Sequence, residues 1–272
     1  MTQSDLKDWT KIVRPVIGML HAPALPGSPR YSGSLETVMS TVLNDAETLA
    51  DGGVHGLMLE NFGDVPFYPR RVPPETVAAM TRLAGRVRDR FDVPLGINVL
   101  RNDGLAALAI AAGVGAEFIR VNVLCGARVT DQGLIEGISH DLSRKRRDLH
   151  AEQVSIFADV DVKHSAPLAS RPIAEEAVET VHRGGADALI VSGPSTGVGS
   201  DVDQLREVQV AAAETPVFVG SGVTTESLPD LWPNADGFIV GTSLKRNGDV
   251  AAPVDRDRVR ELMQVHASLG ER

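Results

Sequence analysis

Cysteine is almost missing: Cys125 is the only one in 272 residues. That excludes an intrachain disulfide framework and a cysteine-built metal cluster, and it fits a reducing compartment such as the cytoplasm. No apolar run approaches membrane-spanning length. The amino terminus, MTQSDLKDWTKIVRPVIGML, carries acidic and polar residues where a secretory signal would need an apolar core. Positive charge is not in excess either. The formal net charge is −9 and the pI near 5.3, which argues against a protein that grips nucleic acid through its overall field. Aromatics make up only 4% of the chain, so the cluster Phe62, Phe67 and Tyr68 stands out. There is also no low-complexity linker and no break in composition. The expectation is one soluble domain over 1–272, with 1–14 as an amino-terminal extension or short helix starting near Ser4.

What is present is an ordinary globular profile, 43% apolar and 23% charged, at a length that suits one large core. Short apolar runs alternate with segments of helical spacing. The runs are Val16–His21, Gly56–Asn61, Pro94–Leu100, Phe118–Val123, Val154–Val162, Ala188–Gly193, Pro216–Val219 and Gly237–Val240. Helices are expected between them, among others from Pro74 to Arg90, from Asp141 to Glu152, and from Asp255 to about Leu269. Such alternation is the pattern of parallel α/β architecture. It predicts a single (β/α)8 TIM barrel. An open doubly wound sheet would place its glycine fingerprint after the first strand, and there the sequence has prolines instead. That proline-rich stretch, Ala22 to Tyr31, is predicted to be a rigid loop covering the barrel mouth. Gly126 to Ser139 reads as a polar loop, and the run Arg144 to Arg147 as a solvated helix face.

The segment Thr215 to Arg246 holds two apolar runs that each end in small residues, Gly220-Ser221-Gly222 and Gly241-Thr242. Between them lies a brief helix expected to be broken by Pro229 and Pro233. Glycines at strand ends let backbone N–H groups come close to an anion. In barrels of this class a phosphate site is often built from the loops after strands seven and eight. The expectation is an anion cradle at Gly220, Ser221, Gly222, Gly241 and Thr242, assisted by Ser192 and Gly193. The alternative is a pair of tight turns that need glycine and bind nothing.

Polar residues at the ends of apolar strands need partners or ligands, because burying them alone costs free energy. Alternation along Val154–Val162 puts Asp159, Asp161 and Lys163 on one face. Glu60, Asn98, Arg120 and Asn122 end neighbouring strands, and His21 ends the first. Asp159, Asp161, Lys163, Glu60 and His21 are the candidate catalytic groups. Asn98 and Asn122 are candidate substrate contacts. A self-contained ion-pair network is the structural alternative.

The segments GMLHAPALPGSP, FADVDVKHS, VSGPSTG and ADGFIVGTSLKRNGDV resemble those of the BtpA family, in the same order and across nearly the whole chain. The family takes its name from a role in photosystem I biogenesis, and its fold is grouped with phosphate-binding barrels. The resemblance implies a barrel of that group. Because members also occur where no photosystem exists, it favours a metabolic enzyme over a dedicated assembly factor for a membrane complex.

Three chemistries fit these residues. Carboxylates beside an anion cradle would stabilise an oxocarbenium-like sugar during N-glycosidic cleavage or phosphorolysis of a nucleoside or phosphorylated pentose. Lys163 would form a Schiff base, or the acids would move protons, in a sugar-phosphate aldolase, isomerase or epimerase. A Mg2+ ion would suit Asp159 and Asp161; no other cofactor is implied. The glycosidic reading is preferred, with a phosphorylated small molecule or inorganic phosphate as partner, no nucleic acid and no membrane insertion. A homo-oligomer is compatible with it. Enzyme and scaffold differ in one respect: an enzyme needs the acidic and the glycine-rich strand ends to converge on one pocket.

Overall fold

A computed structural model describes residues 12–193 and 201–271. Eight parallel strands close into a barrel: β1 (Val16–His21), β2 (Gly56–Glu60), β3 (Leu95–Asn98), β4 (Phe118–Val121), β5 (Ser155–Val160), β6 (Ala188–Val191), β7 (Val217–Val219) and β8 (Gly237–Val240). Each strand pairs with its sequence neighbours, and β8 returns to β1. Their residues are buried almost without interruption because both faces of the sheet are covered. The helices are α1 (Leu35–Asp51), α2 (Pro74–Arg90), α3 (Gly104–Val114), α4 (Ser139–Asp148), α5 (Ile173–His182), α6 (Val202–Ala212), α7 (Leu228–Leu231) and α8 (Arg256–Gly270). Ser34, Asp103, Asp201 and Asp255 cap α1, α3, α6 and α8 by accepting backbone N–H groups in the first turn.

The larger core lies between strands and helices, and a second fills the barrel. In the interior, Phe157 stacks on Phe118 and tilts against Phe218, with ring centroids 4.7 and 4.9 Å apart. A Cβ at Gly96 would stand 2.1 Å from the Phe118 ring, so β3 needs glycine there to make room for it. The inward set at the carboxyl ends is polar. Register places His21 beside Glu60, Glu60 beside Asn98, and Asn98 beside Arg120, one continuous row across β1 to β4.

Four expectations are corrected. Gly126 to Ser139 is not a plain loop: Ala127–Thr130 and Gly133–Glu136 form an antiparallel hairpin, and Ser165–Pro167 adds to it as an outer arm of three strands. Thr130 pairs with Gly133, whose φ of +94° closes the turn. The basic helix begins and ends earlier than expected, at Ser139–Asp148. Pro229 does not break its helix, because it sits in the first turn of α7, where a missing N–H costs nothing. The loop after β1 lies at the carboxyl end of the barrel but is no lid over the centre. Its Leu25 N–H donates to Asp64 Oδ1 (2.8 Å), and Gly63 packs 2.9 Å from Ala22 O through its own N–H. The loop walls a separate cavity of about 350 Å³ with Phe67 and Tyr68. The helix expected near Ser4 lies outside the described residues, as does most of VSGPSTG.

Candidate functional site

Buried charge at the centre of the barrel is organised around one ion pair. Arg120, on β4, grips Asp159, on β5, with two parallel bonds, Nε to Oδ2 at 2.9 Å and Nη2 to Oδ1 at 2.7 Å. Asn122 Nδ2 donates to Oδ2 (2.9 Å), Ser192 Oγ to Oδ1 (3.3 Å), and Asn98 Nδ2 to Arg120 O (3.0 Å). The Asp159 side chain is 0% exposed. Burial alone would lower the Arg120 guanidinium, but the charge and hydrogen bonds of Asp159 hold it above its ordinary value. A forked pair of this kind satisfies charge and geometry together.

Asp161 does not join it. β5 ends at Val160, and Asp161 takes a positive φ of +53°, which breaks the alternation that would have turned it inward. Its carboxylate is 43% exposed, pairs with Arg128 of the outer arm, and accepts from Gln204 Nε2 (3.3 Å). The same Arg128 also meets Glu176 at 3.3 Å. The two aspartates therefore point to different partners, and the donor set does not suit a Mg2+ ion. Among the described residues no cluster of three His, Cys, Asp or Glu is placed to hold a metal. The ion pair that Asp159 makes is with Arg120, and Lys163 is not part of it.

Lys163, beyond the turn, reaches back to the barrel mouth. Its backbone carbonyl accepts from Arg101 Nη2 at 2.6 Å, while its ammonium makes no hydrogen bond or ion pair among the described residues. Burial pushes the amine down, Arg120 adds to the shift, and Glu60 and Asp159 only partly offset it. Glu60 is buried, and burial raises its carboxyl against the pull of Arg120, Lys163 and Arg101. His21 Nε2 lies 3.9 Å from Glu60 Oε1. Burial, then Lys245, Lys163 and Arg120, lower the imidazole to about 3, so it is neutral at pH 7. Two buried atoms in this layer, His21 Nδ1 and Asn98 Oδ1, have no hydrogen-bond partner among the described residues.

Across the ring stands the glycine-rich rim. A Cβ at Gly220 would lie 2.4 Å from Ile190 and 2.8 Å from Ser192 Oγ; its N–H is already given to Val191 O (2.7 Å). Gly220 is therefore a packing glycine and does not offer its N–H to a ligand. Gly222 has a φ of +69°, and a Cβ at Gly241 would meet the His21 ring at 2.7 Å. Ser221 Oγ accepts from Gly193 N–H (2.7 Å). Ser243, in the short helical turn Thr242–Leu244, donates through Oγ to Val223 O (2.6 Å) and so ties the two halves of the rim. Behind it, the buried Lys245 ammonium lies 2.5 Å from Asp45. Arg258, from α8, bonds Ser243 O at 3.2 Å and borders the opening.

All of this meets in one cavity of about 550 Å³. His21, Glu60, Arg120, Lys163, Gly220, Ser221, Gly222, Gly241 and Thr242 line it. Asp159, Asn98, Asn122 and Ser192 lie in the hydrogen-bonded layer with Arg120. Arg101, Ser243, Lys245 and Arg258 were missed by sequence reading; the polar run after β8 was a signal for Ser243 and Lys245, whereas Arg101 and Arg258 carry none.

The fold and site define a (β/α)8 barrel with a polar cavity at the carboxyl ends of its strands. The chain belongs to the BtpA family, whose model matches residues 12–268. It is 46% identical to the photosystem I biogenesis protein BtpA of Synechocystis over 97% of this chain and 91% of that one. An uncharacterized protein of Thermococcus kodakarensis is 47% identical over 94% and 96% of the two chains. Among solved structures, the thiamine phosphate pyrophosphorylase from Pyrococcus furiosus superposes with a TM-score of 0.58 at 14% identity, covering 96% of this chain and 98% of that one. That likeness concerns the fold. Among the described residues no helix is long and apolar enough to cross a membrane.

Proposed function

We propose that this protein is a metabolic enzyme that cleaves an N-glycosidic bond of a nucleoside or related phosphorylated pentose, with phosphate as the acceptor. One observation carries the reading: a buried carboxyl, Glu60, shares a single cavity with the glycine-rich rim. Departure of a nitrogen base leaves positive charge on the sugar and needs a proton on the nitrogen. Glu60, whose carboxyl burial raises, supplies that proton, and the carboxylate it becomes offsets the sugar's charge in the same step. The rim at Gly222, Gly241 and Thr242 serves as the anion cradle. An assembly role, stated in the name of the Synechocystis relative, would use a surface; convergence on a cavity favours an enzyme.

The test is to incubate the protein with a panel of nucleosides and nucleoside monophosphates and follow base release by chromatography, with and without inorganic phosphate. Phosphate-dependent release of a free base and a sugar 1-phosphate is the expected result. Absence of release from every member of the panel would remove the reading. A second reading rests on Lys163, whose amine is lowered by burial and by Arg120, the setting in which lysines attack carbonyls. Borohydride trapping of a phosphorylated ketose on Lys163, read by mass spectrometry, would favour an aldolase instead.

A further inference from the structure

Three features stand around the cavity at about a third of the ring from one another: the glycine-rich rim on β7 and β8, Lys163 beyond β5, and Glu60 on β2. From β7 to β5 is two strands, from β5 to β2 three, and from β2 back to β7 through β1 and β8 another three. The rim and Lys163 differ in kind. The rim at Gly222, Gly241 and Thr242 offers backbone and hydroxyl, is fixed by the Ser243–Val223 bond, and is bordered by the charged side chains of Glu226, Asp257, Arg258 and Glu261. Lys163 brings an amine that makes no hydrogen bond or ion pair with a carboxylate among the described residues. Its neighbours do not neutralise it: Arg120 is joined to Asp159, and Arg101 adds a further positive charge beside the Lys163 backbone. Leaving a lysine ammonium unpaired in a largely enclosed site costs free energy unless a ligand supplies the opposite charge.

We infer that the cavity has two anion positions, one at the rim for the ester phosphate of a pentose and one at Lys163 and Arg120 for inorganic phosphate. This rests on the proposed phosphorolysis and assigns its parts. The substrate class becomes a nucleoside 5′-monophosphate, held by its phosphate ester at Gly222, Gly241 and Thr242. Inorganic phosphate at Lys163 attacks the anomeric carbon from the β5 side, while the base leaves toward Glu60 on the β2 side. An oxygen of phosphate forms the new C–O bond, the C–N bond breaks with its electron pair going to the base nitrogen, and that nitrogen takes the Glu60 proton. The products are a pentose 1,5-bisphosphate and a free base. Glu60 is reprotonated from water.

The experiment uses binding, so that it does not depend on turnover. Inorganic phosphate and ribose 5-phosphate are titrated by calorimetry, separately and with one saturating, into the parent and into Lys163→Met, with thermal melting to establish that the variant is folded. Lys163→Arg is the second variant; it keeps the charge. Phosphate should still bind when ribose 5-phosphate saturates the rim. Lys163→Met should weaken phosphate about tenfold or more, the order expected for losing one charged hydrogen bond, and leave ribose 5-phosphate within about twofold, while Lys163→Arg retains most of the phosphate affinity. Displacement of all bound phosphate by ribose 5-phosphate, or unchanged phosphate binding in folded Lys163→Met, overturns the inference. Two bound anions without release of base from any nucleotide or nucleoside would keep the two positions and remove phosphorolysis. Cleavage of nucleosides alone, with one bound phosphate, would do the opposite.

Discussion

Asp159 and Glu60 are both carboxylates, both buried, and both on the inner face at the carboxyl end of a strand, yet their surroundings are opposite. Every oxygen of Asp159 is engaged by Arg120, Asn122 or Ser192. Glu60 makes no side-chain hydrogen bond among the described residues: the His21 ring nitrogen stands 3.9 Å away, beyond hydrogen-bonding distance, and Arg120, Lys163 and Arg101 act on it through charge alone. One acid is consumed by the protein; the other is left facing space. In this barrel the partners that a carboxylate already has, more than its position along a strand, decide whether it is available for chemistry.

The largest effect should come from breaking the consumed acid. Asp159→Asn leaves the Arg120 guanidinium buried without its counter-charge, and should cost about 3–5 kcal/mol in a denaturant titration. A midpoint equal to the parent's would mean that the pair does not hold the barrel. Glu60→Gln should behave in the opposite way. Turnover should fall by about a hundredfold or more, as for loss of a general acid, with no loss of melting temperature; a cooperative destabilisation with normal turnover per folded molecule would reverse the two roles.

The comparison sharpens with pH. Burial raises the Glu60 carboxyl, so its folded value lies above its unfolded one, near about 4.3. Its favourable contribution is therefore complete below that pH and is lost as the pH rises through the folded value. Glu60→Gln should match the parent in acid and become the more stable of the two toward neutral pH. Parallel stability curves would show that the carboxyl is not perturbed. The smallest effect is expected for Asp161→Asn. Asn tolerates the positive φ, Arg128 keeps Glu176, and the pair, open to solvent on its Asp161 side, should be worth less than about 1 kcal/mol. A large drop in turnover would bring Asp161 back to the site.

Much of the frame was legible because it depends on burial and period. β1 and β8 were found to the residue, and the row His21, Glu60, Asn98 and Arg120 follows from where apolar runs end. Alternation failed at Asp161, since one backbone angle of positive sign reverses a side chain and no residue type announces it there. The outer arm was missed because its strands are four, four and three residues long, too short for a period to show. Gly220 has the sequence setting of a ligand contact, yet its missing Cβ makes way for Ile190 and Ser192. Close approach to a ligand and close approach to a neighbouring strand call for the same residue.

The outer arm has a mechanical consequence. Lys163 lies between β5 and the strand Ser165–Pro167, which is hydrogen-bonded to Ala127–Thr130. The amine is thus suspended between the barrel and a surface sheet, with Arg128 joining Ser165 Oγ (2.7 Å) to Asp161 on the near side. Whatever tethers the amine also tethers the sheet. Occupancy at Lys163 should slow amide hydrogen exchange in 127–130 and 165–167, so that a ligand in the barrel is registered on the surface of the molecule by segments that do not line the cavity.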